Sequence, residues 1–156
     1  LVLLMLSTGA KTGELVGREE PVAGAPRDGG LRLQDCDFRE HRVLLRNVRK
    51  NTERMMPLTL EAEQFLRAWL SVRPPHTASV LVFVTNRGTP LQNRYVRRLL
   101  REAGVKAGIE IDVKPSVLRR TYASEVLRDT GSLSRLQRAL GQQHIASAAR
   151  YVEADD

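Results

Sequence analysis

The stretch Pro115–Tyr151 reads PSVLRRTYASEVLRDTGSLSRLQRALGQQHIASAARY, and its punctuation divides it into three helices. Proline at 115 suits a first helical turn, where its missing N–H costs nothing, and predicts a helix running to about Leu127. Gly131-Ser132 resets the chain. Ser132 is placed to cap a helix with Leu133, Leu136 and Leu140 on its inner face, and Gly141 stops it. A last short helix would turn Ile145, Ala148, Ala149 and Val152 inward, with Tyr151 at its end. A tyrosine brought near Arg119 and Arg120 has chemical meaning. Its phenol, with a free pKa of about 10, is a poor nucleophile. Guanidinium groups that also bind phosphate can activate it and stabilise a phosphoryl transition state.

Upstream, Gln92 to Ala107 predicts a helix with two faces. Val96, Leu99, Leu100 and Ala103 form the apolar one. Arg94, Arg97, Arg98 and Arg101 form a cationic stripe at helical spacing, whose mutual repulsion a phosphate partner would relieve. Val80 to Val84 is a short apolar segment before the turn Asn86-Arg87-Gly88. Thr59 is a helix cap, and Ala62, Phe65, Leu66, Trp69 and Leu70 form the inner stripe of a helix to about Val72, ended by Pro74-Pro75. Leu31 to Leu58 reads as β structure: the runs LRL, RVLLRNV and RMMPL, separated by polar turns, predict three antiparallel strands. Arg18 to Gly30 is rich in glycine and proline and predicts a mobile loop. Before it, Thr12 to Val16 predicts a short helix. The opening LVLLML, apolar all round, reads as the end of a buried helix with more chain expected before it. It is too short to span a membrane.

The bulk numbers agree with one domain over residues 1–156. The hydrophobic fraction is 42% while aromatics make up only 4%, so the core must be built mainly from Leu, Val and Ala. The net charge of +7 favours a polyanionic partner, nucleic acid ahead of membrane. From Val80 to Arg150 there are 13 Lys/Arg against 5 Asp/Glu, so the surplus is concentrated beside the tyrosine. Arginine outnumbers lysine 21 to 4, which suits bidentate phosphate recognition; a GC-rich genome is the competing cause. Cys36 is the single cysteine, so neither an internal disulfide nor a cysteine-based zinc site is available, and a reducing interior is expected. No cofactor and no metal is called for.

Several segments carry a family pattern. LSTGAKTGELVG is similar to an opening "TGLR-x-x-EL" helix-turn. LRLQDCDF followed by RVLLRNVRKNTERMMPL is similar to a three-stranded sheet with an "R-x-x-PL" exit. VFVTNRGTPL matches "F-x-x-x-x-G-x-PL", PSVLRRTYASEVL matches "H-x-LRHTFAT-x-L", and LGQQHIASAARY matches "LGH-x-x-I-x-T-T-x-x-Y". In this order and spacing they resemble the catalytic domain of the tyrosine recombinase (phage integrase) family over nearly the whole chain. The resemblance implies an α+β, mainly α-helical fold, with helices around a small three-stranded antiparallel sheet. It also implies a catalytic-type domain truncated at its N-terminus, because family members normally carry a helical DNA-clamping domain upstream.

The resemblance further implies metal-free DNA strand cleavage and rejoining through a 3′-phosphotyrosyl intermediate. Two arginines clamp the non-bridging oxygens, a lysine in a strand turn protonates the leaving 5′-oxygen, and two histidines assist. Tyr151 falls at the nucleophile and Arg119 at the second arginine. Lys11 stands at the first arginine, keeping the charge and losing the planar fork. Arg49 aligns with the lysine and Lys50 is its neighbour; arginine is a poor proton donor. Ser116 and Gln142 replace the histidines, and Arg120 replaces a residue that is commonly histidine. His144 is a displaced substitute or a turn residue, while His41 and His76 carry no role. Arg94, Arg97, Arg98, Arg101 and Arg120 are the expected DNA contacts.

Three functions compete at this stage: an attenuated strand transferase (with topoisomerase-like relaxation as a variant), a catalytically inactive DNA-binding or regulatory member of the same fold, and a protein-interaction module. The implied partner is double-stranded DNA with no membrane, the implied assembly is a DNA-assembled homo-oligomer of the full-length protein, and the implied location is cytoplasmic and nucleoid-associated.

Overall fold

Two short, partly buried helices begin the chain. The computed structural model describes residues 1–16, 29–75, 77 and 79–151. Helix α1 (Val2–Thr8) ends at Gly9, whose φ of 59° lets its N–H reach back to the Met5 carbonyl. A Cβ on Gly9 would also run into the Tyr122 ring, so glycine serves both the cap and the packing. Helix α2 (Thr12–Leu15) follows, closed by the Glu14 carboxylate, which accepts from the Lys11 N–H at 2.9 Å. Most of the predicted mobile loop 18–30 lies outside the described residues, as do His76 and Val152; Gly29 and Gly30 are buried.

The sheet order is β1 (Cys36–Asp37), β2 (Arg42–Asn47), β3 (Thr52–Pro57), antiparallel throughout. Alternation sets its inner face: Val43, Leu45 and Asn47 are buried, with Val43 opposite Met56 and Leu45 opposite Arg54. The four residues from Val48 to Asn51 turn the β2–β3 hairpin, with Asn51 at a φ of 47°. The predicted first strand, Leu31–Leu33, is not in this sheet. Arg32 bridges to Leu81, and Leu33–Asp35 coils into a 3₁₀ turn. The cause is local: the Asp35 carboxylate accepts from the Arg32 N–H at 3.0 Å and is neutralised by Arg46, which favours the turn over extension.

Thr59 caps α3 (Leu60–Val72) as predicted, its hydroxyl accepting from the Ala62 N–H at 3.2 Å. Trp69 is fixed by its indole N–H, which donates to the Val82 carbonyl at 2.9 Å. Phe65, expected inside, is 61% exposed, because its flank of α3 faces an open groove rather than the core. Helix α4 (Asn93–Lys106) buries Val96, Leu100 and Gly104, so the predicted inner positions Leu99 and Ala103 lie outside. The helix turns this way because Val113 packs against Gly104, where a Cβ would collide with it.

Helix α5 (Pro115–Thr130) runs three residues beyond the predicted end, to Gly131 at a φ of 56°. It packs against α1 on one side and α6 (Leu133–Ala139) on the other. Ser132 caps α6 as expected, accepting from the Arg135 N–H at 3.3 Å. In α7 (Ile145–Ala149), Ala148 is buried but Ile145 is 49% exposed, against expectation. The main core gathers Leu4, Met5, Leu15, Val43, Leu45, Val82, Val96 and Leu100. A smaller one, of Ala123, Leu136, Leu140 and Ala148, holds Tyr151 against its edge. Among the described residues no helix is long and apolar enough to cross a membrane, and no group of His, Cys, Asp and Glu side chains is arranged to hold a metal.

Candidate active site

Arg119 organises the site. It projects from the second turn of α5 into the seam between α1 and α6 and is buried. One Nη group donates to the Gly9 carbonyl at the end of α1, and the other to the Leu140 carbonyl at the end of α6 at 2.8 Å. Its Nε donates to the Tyr151 hydroxyl at 3.3 Å. All three acceptors are neutral. A buried cation without a carboxylate partner is costly to keep, and this one retains N–H groups for an anion.

Tyr151 and Arg119 line an open cleft of about 530 Å³ with Lys11, Thr12, Arg97, Arg101, Lys114, Pro115 and Ser116. Among the described residues, no carboxylate lines it. Asp112 stands beside it, pairing with Lys114 at 2.9 Å and with Arg101 at 3.2 Å; those two cations, Lys114 first, hold its carboxyl below the usual aspartate range. Tyr122, the neighbouring tyrosine, is a poor alternative nucleophile, because burial raises its phenol pKa.

Lys11 caps α2 in extended conformation, with its backbone N–H held by Glu14. Glu14 in turn receives a two-pronged bond from Arg54, both contacts at 2.9 Å, and Arg54 Nε donates to the Ala139 carbonyl at 2.9 Å. Strand β3, α2 and α6 are thus tied together directly behind the cleft. Burial first, and then the Arg119 guanidinium, hold the Lys11 ammonium below the ordinary lysine value; Glu14 opposes this, and Lys50 and Arg54 add to it. Lys11 also lines an adjoining pocket of about 280 Å³, with Arg46, Asn47, Arg49, Asn93 and Arg97.

The residues singled out from sequence therefore separate. Tyr151, Arg119, Lys11 and Ser116 share the cleft. Arg49 lies in the adjoining pocket, and Lys50 lines neither but is close enough to Lys11 to act on its charge. Gln142 is outside both, with its Oε1 buried and without a hydrogen-bond partner. The arginine stripe divides along α4: Arg97 and Arg101 face the cleft, whereas Arg94 and Arg98 line a separate groove of about 960 Å³. Arg120 is exposed and does not line the cleft. His144 caps α7 and is exposed, and His41 bonds to Glu63 at 2.6 Å, away from the site. Glu14, Arg54, Thr12 and Lys114 were given no role from sequence. Glu14 and Arg54 stand inside the "EL" and "R-x-x-PL" motifs, so the motifs themselves carried the signal.

Residues 28–156 match the model of the phage integrase family. Tyrosine recombinase XerC 1 of Ralstonia nicotianae is 33% identical over 160 residues, covering 97% of this chain and 47% of that protein. The type 1 fimbriae regulatory protein FimB of Escherichia coli K12 is 29% identical over 124 residues, covering 78% of this chain and 62% of that one. The crystal structure of XerA recombinase superposes with a TM-score of 0.80 at 30% identity, covering 94% of this chain and 50% of that chain. The XerH recombinase bound to its difH substrate before cleavage gives a TM-score of 0.78 at 19% identity, over 96% of this chain and 41% of that chain, a likeness of fold. The chain spans less than two thirds of the length of each of these proteins.

Proposed function

This chain belongs to the phage integrase family, and from that premise we propose that it is the catalytic domain of a site-specific recombinase that cuts and rejoins duplex DNA through Tyr151. The observation that carries this reading is the Arg119 Nε–Tyr151 hydroxyl bond at 3.3 Å, over a cleft lined by the cations Lys11, Arg97, Arg101 and Lys114. The phenol attacks the phosphorus, the bond to the 5′-oxygen breaks, and the DNA 3′-phosphate remains on Tyr151. Arg119 faces the charge that develops on the phosphoryl oxygens, where one preorganised donor is worth about 10²–10³-fold in rate. Arg97, Arg101 and Lys114 hold the flanking backbone by charge. The DNA-bearing complexes of its structural relatives, one of them a dimer, support DNA as partner and a DNA-assembled oligomer of the full-length protein; a protein acting on DNA would work at the nucleoid in the cytoplasm.

Denaturing lysis of cells expressing the full-length protein, followed by sequencing of protein-linked DNA ends, tests this. A covalent adduct at one recurring sequence that Tyr151→Phe abolishes is expected. A second reading, a DNA-binding member that does not cleave, is favoured by Ser116 and Gln142, neither of which can carry a proton as histidine does. It predicts salt-sensitive duplex binding with no adduct, unchanged by Tyr151→Phe.

A further inference from the structure

We infer that Lys11 is the general acid of this site, delivering a proton to the 5′-oxygen that leaves when Tyr151 attacks. This rests on the strand-cleavage reading above and assigns a different job to the residue that stands in a phosphate-clamping position. The hairpin turn, where the family resemblance puts a lysine for this task, presents Arg49 to the site. A guanidinium does not release its proton in the working pH range. Thr12 and Ser116 are the uncharged hydroxyl side chains of the cleft, and a hydroxyl is too weak an acid to replace an ammonium.

The chain has four lysines, so the choice is short. Lys106, at the far end of α4, lines neither pocket. Lys50 lines neither pocket. Lys114 lines the cleft, but its ammonium is engaged by Asp112 at 2.9 Å. Lys11 lines both the Tyr151 cleft and the Arg49 pocket, so it sits between the nucleophile and the hairpin. Attack in line with the leaving oxygen requires the acid on the side of the phosphate away from the tyrosine; the Arg49 pocket, which does not include Tyr151, shares Lys11, Thr12 and Arg97 with the cleft, and of these only Lys11 can give up a proton. Glu14 fixes the Lys11 backbone, so the amine swings from a rigid base. Its environment lowers its proton affinity: burial, Arg119, Lys50 and Arg54 act against the charge, with Glu14 the opposing group. An acid closer to the operating pH is the better donor.

The step balances without any further reactant. The Tyr151 hydroxyl proton passes to water, the Oη–P bond forms and the P–O5′ bond breaks. Lys11 Nζ transfers one proton to O5′ and becomes a neutral amine. In religation the same amine takes the proton back as the 5′-hydroxyl attacks the phosphotyrosine.

The test compares two nicked duplexes of the sequence mapped by adduct sequencing, identical except that one carries sulfur in place of the bridging 5′-oxygen. A thiolate leaves without protonation, so the sulfur substrate bypasses the acid. Lys11→Met in the full-length protein should slow cleavage of the ordinary duplex by roughly 10²–10⁴-fold. On the sulfur duplex it should come within several-fold of wild type. Lys11→Arg, which keeps the charge but not the labile proton, should behave like Lys11→Met. Wild-type cleavage of the ordinary duplex should fall as pH rises through the lowered Lys11 pKa, a limb absent with sulfur. Equal slowing of both duplexes by Lys11→Met, or full activity of Lys11→Arg on the ordinary one, overturns the inference alone. So does selective sulfur rescue of Lys50→Met instead. A wild-type protein that cleaves neither duplex overturns the cleavage reading and this inference with it.

Discussion

Two arginines, Arg119 buried and Arg54 nearly so, reach the end of the same helix and meet opposite electrostatic fates. Arg54 donates to the Ala139 carbonyl and Arg119 to the Leu140 carbonyl, so both anchor the end of α6. Arg54 is fully answered by the Glu14 carboxylate, which is only 3% exposed. Arg119, 6% exposed, bonds to two carbonyls and a phenol and receives no counter-charge from them. Both are arginines that hold the end of α6, so the difference among the described residues is the carboxylate. Where the protein supplies one, arginine is a brace. Where it withholds one, the fold carries an unbalanced charge that a bound phosphate would balance.

The largest effect should come from unbalancing the brace. Glu14→Gln leaves Arg54 buried without its anion, and breaking a buried pair from one side costs about 3–5 kcal/mol. The expected result is a lower urea midpoint at unchanged slope. A loss below about 1 kcal/mol would mean that the Arg54 corner tolerates an unpaired cation as the Arg119 corner does, and the contrast would be gone.

Arg119→Lys sharpens the same contrast from the other side. The charge stays, but the planar fork cannot reach both carbonyls and the tyrosine together. Covalent adduct formation should slow by about 10²–10³-fold. Stability should fall by only about 1–3 kcal/mol, the cost of leaving buried carbonyls without donors. Stability loss equal to that of Glu14→Gln with unchanged adduct formation would make Arg119 a second brace.

The sequence made much of this frame legible, and its failures have physical causes. Helix order, the Thr59 and Ser132 caps and the Gly131 stop could be read because each depends on neighbours within one turn. Tyr151 and Arg119 could be read because a motif fixes their spacing. The LRL strand failed because a side chain two positions beyond it, Asp35, bends the backbone. The arginine stripe keeps to one face of α4, but only packing reveals that Arg97 and Arg101 line the cleft while Arg94 and Arg98 line a different groove. The carbonyls of Gly9 and Leu140 that hold Arg119 had no signal, since main-chain acceptors far apart in the chain carry no residue identity.

Arg101 stands between the two extremes and offers the finest test. It has a carboxylate, Asp112, but an exposed one that it shares with Lys114. An incoming phosphate must compete with Asp112 for both cations, whereas the acceptors that the described residues offer Arg119 are all neutral. Asp112→Asn should therefore tighten duplex binding at low salt by roughly two- to five-fold, the scale of an exposed ion pair. The gain should shrink as salt rises. The pH dependence follows from the lowered Asp112 pKa. Through the ordinary aspartate range the wild-type carboxyl stays ionised and the gap persists; below its own pKa it is protonated, and the two proteins should bind alike. Binding measured by fluorescence anisotropy across salt and pH checks this. A gap independent of both would show that Asp112 acts on the shape of the α4–α5 connection, leaving Arg101 a brace of the Arg54 kind on the protein surface.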